Sequence, residues 1–192
     1  NAALPAWQPR LRDCGGGCPA SSRDGAPTGR GICWRLFSQQ GNTLLLSEFS
    51  IRETLKNSSV RLLFPAELFP FVAHSRNDKG CLSLFVLSAS RHLYQLALPP
   101  PPANASPTSS VLVSPEASSL QCYDISAETE CLGQPTSLAA SGSTLAIAGQ
   151  SGSTIVYPLA TQDNGIASHL LRERAAELRS SVWSIGSLLP SL

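Results

Sequence analysis

Methionine is absent from all 192 residues, and the chain opens on Asn1-Ala2-Ala3. Read alone, that opening suggests a piece of a longer product or a processed form. Charge is scarce as well: 14% of residues are charged, against roughly a quarter in ordinary domains. That low charge argues against a disordered tail held open by like-charge repulsion. Lysine is almost missing, with 2 copies against 12 arginines, and the formal net charge is +1. No global field draws this chain to nucleic acid or to an anionic membrane. A membrane span is lacking too. The longest uncharged run, 131–162, is interrupted by Gly, Ser, Gln and two prolines, whereas a spanning helix needs about 20 mainly apolar residues. The N-terminus carries no charged-then-apolar leader.

What is abundant is turn chemistry. Proline, glycine and serine supply 15, 14 and 29 residues, a share that points to many short elements joined by loops. Residues 10–31, built around Cys14-Gly-Gly-Gly-Cys18, show no apolar periodicity and read as a flexible lead-in over 1–31. Pro99-Pro-Pro-Pro102 opens a second break, 99–118, read as a mobile Pro/Ser-rich loop.

Between the breaks, short apolar runs bounded by turn residues predict strands. They fall at 32–38, 43–51, 60–64, 81–88, 92–98, 120–124, 136–140, 144–149 and 153–159. Two hairpins stand out, 81–88 with 92–98 and 144–149 with 153–159. Gly152 supplies the positive φ that a tight turn needs. Superposing Ser90 on Ser151 aligns the two hairpins at a spacing of 61 residues. Removing the Pro-rich insert leaves about 40, the length of one four-stranded propeller blade. Ser168–Arg179 has good helix formers, with Leu171, Ala175 and Leu178 at helical spacing. The expectation is an all-β partial β-propeller, about two blades of four-stranded antiparallel sheet, with one short helix near the C-terminus. The first blade is placed at 32–98; 119–192 holds the second blade, the helix and the start of the next blade.

Residues at the spacing of a known catalytic or metal motif are lacking. His74, His92 and His169 lie far apart, and none stands at metal-motif distance from a cysteine pair. Cys14 and Cys18 lack two further ligands at zinc spacing. Gly149-Gln-Ser151-Gly152 is not a Gly-x-Ser-x-Gly elbow, and a strand follows where a helix should begin. Asp124, Glu128 and Glu130 read as a solvated loop. Arg172, Arg174 and Arg179 interleave with Glu173 and Glu177 as an ordinary solvated helix face. No catalytic, cofactor-binding or metal-binding residue is assigned, and the chain does not read as an enzyme. Six cysteines (14, 18, 33, 81, 122 and 131) fit reduced thiols in a reducing compartment. A secreted β-rich domain with disulfides, glycosylated at the sequons Asn57-Ser58-Ser59 and Asn104-Ala105-Ser106, stays open as an alternative.

An ordered set of segments resembles the N-terminal propeller region of the nucleoporin one-sixty family, scaffold subunits of the Y-shaped outer-ring complex of the nuclear pore. The segments are Cys33-Trp34-Arg35, Asn42-Thr-Leu-Leu-Leu-Ser-Glu48, Val60-Arg61-Leu-Leu-Phe64-Pro65, the hairpin ending Leu-Ala-Leu98-Pro99, Leu145-Ala-Ile-Ala-Gly149 and Glu177-Leu-Arg-Ser-Ser-Val-Trp183. The likeness looks closest to plant or green-algal members. It implies a structural scaffold at the nuclear envelope that supports nucleocytoplasmic transport and mRNA export through contacts with other Y-complex nucleoporins. It implies no cofactor, no small-molecule substrate, no direct nucleic-acid contact and no transmembrane segment. A different propeller adaptor is the other open reading.

Overall fold

The computed structural model describes residues 14–21, 27–37, 41–52, 54–55, 58–77, 80–98, 100, 110, 112, 119–142, 144–159 and 183–184. They form three four-stranded antiparallel sheets, each a meander with its strands in chain order. The first holds β1 (Cys14–Ser21), β2 (Pro27–Leu36), β3 (Thr43–Ser50) and β4 (Ser59–Leu63). The second holds β5 (Leu68–Arg76), β6 (Leu82–Ser88), β7 (His92–Leu98) and β8 (Ser119–Asp124). The third holds β9 (Pro135–Ser141), β10 (Thr144–Gly149), β11 (Ser153–Pro158) and β12 (Trp183–Ser184). A short helix α1 (Ser126–Thr129) and a 3-10 turn (Glu130–Leu132) bridge β8 to β9. The leading strand β5 lies beside both β1 and β9, the arrangement of a partial propeller whose first strands line the axis.

Both expected hairpins are present, with Leu87 opposite Leu93 and Ile147 opposite Ile155. The architecture is all-β, and the number of sheets is three rather than about two. The first sheet begins at Cys14, inside the stretch read as a lead-in, and the strands expected as one blade over 32–98 divide between the first two sheets. The described helix α1 lies upstream of β9; the helix expected over 168–179 falls outside the described residues.

Glycine explains why β1 escapes a hydrophobicity reading. Gly16 pairs with Trp34, and a Cβ on Gly16 would sit 2.7 Å from the indole ring. The strand is glycine-rich because Trp34 lies across it. Prolines 19, 70 and 135 fall on β1, β5 and β9, each an edge strand of its sheet, where a missing N–H breaks no interior ladder. At Pro70 the register with β6 also shifts, between Leu68 and Val72.

The second sheet is buried on both faces. Leu82, Leu84, Val86, Tyr94, Leu96 and Leu98 pack toward the first sheet, with Ile32, Trp34, Leu36, Leu44 and Leu46. Phe85, Leu87, Leu93 and Tyr123 pack toward the third, with Leu138, Leu145, Ile147 and Tyr157. Neighbours along β6 thus serve opposite cores, which is why Leu82–Ser88 reads as a nearly unbroken apolar run. No described helix is long and apolar enough to cross a membrane.

Candidate functional site

Sheet pairing scatters the residues that carry chemistry. His74 sits exposed on β5, its ring tilted against Trp34 at 5.3 Å. His92 lies at the head of β7, its Nδ1 3.0 Å from the Ser90 hydroxyl. His169 falls outside the described residues. Cys14 and Cys18 occupy β1, and all six cysteines are free thiols. Burial pushes the Cys14 thiol up, and it pushes Cys18 up against the opposing pull of Arg76. Such shifts lower the thiolate fraction and leave these positions poorly nucleophilic.

Among the described residues no three His, Cys, Asp or Glu side chains come together to hold a metal. Ser151 lies in the β10–β11 turn, where its hydroxyl donates to the Cys131 carbonyl at 3.0 Å. Asp124 and Glu130 are exposed and Glu128 is half-buried. Asp124 Oδ1 accepts the Ser126 N–H at 3.0 Å, a local turn that starts α1.

The structure does contain a set of joints between sheets, and hydrophobic periodicity gives no sign of them. At the β6–β7 turn, Arg91 adopts a left-handed φ of 62°. Its guanidinium donates to the Thr129 carbonyl at 3.4 Å and to the Gly133 carbonyl. Ser75 on β5 donates to the Gly142 carbonyl in the β9–β10 turn at 2.6 Å. Gly149 lies so close to the 3-10 turn that a Cβ there would stand 2.1 Å from the Leu132 carbonyl oxygen. Between the first two sheets, Glu48 is 3% exposed. Its Oε1 pairs with Arg30 Nη1 at 3.3 Å, and its Oε2 accepts the Ser110 hydroxyl at 2.7 Å.

Among the described residues, the outer faces of the first and third sheets have no other sheet packed on them. On the first sheet, Gly15, Arg35, Leu45 and Arg61 form one row across all four strands. The Arg35 guanidinium lies 5.2 Å from the centre of the Phe37 ring. Nearby, Phe49 and Leu63 are 46% and 71% exposed. On the third sheet the outward row is Ala139, Ala146 and Val156, flanked by Ser137, Ala148 and Thr154. One face therefore mixes arginine with large apolar side chains, and the other is flat, small and uncharged. Neither of these two described rows carries an acidic side chain.

Residues 30–191 match the family model described as nucleoporin Nup120/160, beta-propeller domain. No curated protein matches the chain.

Proposed function

Because the chain belongs to the nucleoporin Nup120/160 family, we propose that its blades serve as a structural scaffold in the outer ring of the nuclear pore. In this reading the protein acts by presenting sheet faces and blade edges to other Y-complex nucleoporins. It supports nucleocytoplasmic transport and mRNA export through assembly, without turnover and without a bound cofactor. The family match over 30–191 is the observation that carries the reading. The two open faces are its physical complement. A flat face of Ala139, Ala146, Ala148 and Val156 suits a second sheet packed about 10 Å away. The Arg35–Leu45–Arg61 row suits a surface that is apolar at its centre and acidic at its rim.

The test is localisation of the tagged full-length protein. The wild type is expected at the nuclear rim; uniform cytoplasmic signal would overturn the proposal. Ile147 is fully buried between the second and third sheets. Ile147→Asp should unfold the blade stack, at a cost of several kcal/mol (about 3–5) for an unpaired buried charge, and so remove the rim signal. His74→Ala, at an exposed position, should keep it.

A further inference from the structure

Sheets stacked as blades leave their last strands at the rim, and two of those strands here form regular edges. β4 ends the first sheet and β8 ends the second. Neither the β3–β4 nor the β7–β8 ladder carries a register shift. The inner edges β1, β5 and β9 hold Pro19, Pro70 and Pro135, and proline blunts an edge against pairing. β4 and β8 hold no proline. Each instead displays a large apolar side chain: Leu63 is 71% exposed and Leu120 is 52% exposed.

The ladders fix which backbone groups point outward. Phe64 N–H donates to the Asn42 carbonyl at 2.9 Å, and Glu48 N–H donates to the Ser58 carbonyl at 2.6 Å. In that register Leu62 and Val60 bond to β3, so the N–H and C=O of Arg61 and Leu63 are directed away from it. Ile125 N–H donates to the Arg91 carbonyl at 3.0 Å. Tyr123 and Gln121 therefore bond to β7, and the backbone groups of Leu120 and Cys122 face outward. An antiparallel ladder between β4 and the β8 of a second copy sets Leu63 opposite Leu120 and Arg61 opposite Cys122. Each pair exchanges both of its N–H···O bonds. Arg61 then stands diagonal to Asp124, a separation that a long side chain spans. The symmetric alternatives fit worse. β4 on β4 sets Arg61, the single charge of that strand, opposite another Arg61, and β8 on β8 sets Leu120 opposite Asp124.

We propose that the chain associates with a second copy of itself by antiparallel pairing of β4 on one copy with β8 on the other. The contact is heterologous, because it joins two different edges. It covers the exposed Leu63 and Leu120 with each other, brings Arg61 toward Asp124, and continues the sheet of one copy into the sheet of the next. This association goes beyond contacts with other nucleoporins and stands independently of them.

Sedimentation velocity of the 192-residue chain over rising concentration reads the association, with circular dichroism checking that each variant stays folded. The wild type should self-associate as concentration rises. Leu63→Lys closes the β4 edge and Leu120→Lys closes the β8 edge, both at exposed positions. Each alone should raise the dissociation constant by roughly tenfold or more. Mixing the two variants should restore a dimer at wild-type strength, because one still offers β8 and the other still offers β4. Arg61→Pro strips an outward N–H while sparing the β3–β4 bonds, and should weaken association as Leu63→Lys does. A wild type that stays monomeric, or a mixture that does, would overturn the proposal. Wild-type association by either lysine variant alone would show a symmetric edge contact instead, and undiminished association by Arg61→Pro would overturn strand pairing as its basis.

Discussion

Arg91 and Gly133 are joined by a hydrogen bond from the Arg91 guanidinium to the Gly133 carbonyl, across 42 positions of sequence. The second arm of the same guanidinium reaches the Thr129 carbonyl at 3.4 Å. One side chain thereby caps carbonyls at the point where α1 and its 3-10 turn end. It also fixes the β6–β7 turn to the connection that leads into the third sheet.

Arg91→Ala should cost about 1–3 kcal/mol, because it removes charged donors while keeping the left-handed backbone. Arg91→Gly should cost roughly 1 kcal/mol less, since glycine adopts that φ without strain. Thermal unfolding of both variants beside the wild type checks the order. If alanine were the milder change, backbone strain at position 91 would not be the difference between them.

Gly149 and Gly152 flank the same turn but should respond differently to alanine. At 149 the new methyl group meets the Leu132 backbone at 2.1 Å, and overpacking of this kind costs about 1–3 kcal/mol. At 152 nothing lies within 4 Å, and the only penalty is the φ of 81°, about 1 kcal/mol. Denaturant titration should therefore place Gly149→Ala below Gly152→Ala in stability.

Tyr157 is 1% exposed, and among the described residues its hydroxyl has no hydrogen-bond partner. A buried unsatisfied hydroxyl costs about 1–3 kcal/mol, so Tyr157→Phe should leave stability unchanged or raise it. A marked loss of stability in that variant would reveal a partner for the hydroxyl.

Burial pushes the Tyr123 phenol up to about 12 from 10.0. Below pH 10 the phenol is neutral in both states, and its contribution is fully present. As pH rises from 10 toward 12 the unfolded chain ionises first, so stability falls across that window. Tyr123→Phe should flatten part of this alkaline decline, measured as melting temperature against pH. Burial raises Tyr157 in the same direction, with Glu128 and Cys131 adding to the effect.

The fold was legible where side chains carry the signal. The hairpins of 81–98 and 144–159 follow from short apolar runs around Ala89-Ser90-Arg91 and Gln150-Ser151-Gly152, and the 61-residue spacing relates the middle strands of the second and third sheets. The pattern failed where glycine or proline replaces the apolar residue. In β1 the glycines make room for Trp34, so Cys18, read as part of a loose segment, is 6% exposed in a core. In β5, Pro70 interrupts the apolar run, and the register with β6 shifts between Leu68 and Val72. Hence 32–98 read as one blade when it holds parts of two sheets. Of the joints, Glu48 sits in the run Leu44-Leu-Leu46-Ser-Glu48, and a lone acid there was the available clue. Arg91 offered none, because its partners at 129 and 133 are brought near only by folding.

Leu84 and Phe85 are bonded neighbours, yet each belongs to a different core. A change at one is felt at one seam, and a shift of the β6 backbone is felt at both. The middle sheet is consequently the arbiter of cooperativity: either flanking sheet can open while the middle sheet keeps one covered face, but the middle sheet cannot open without uncovering both. Transient openings should thus start at the flanks, and tolerance to substitution should be lowest along β6 and β7.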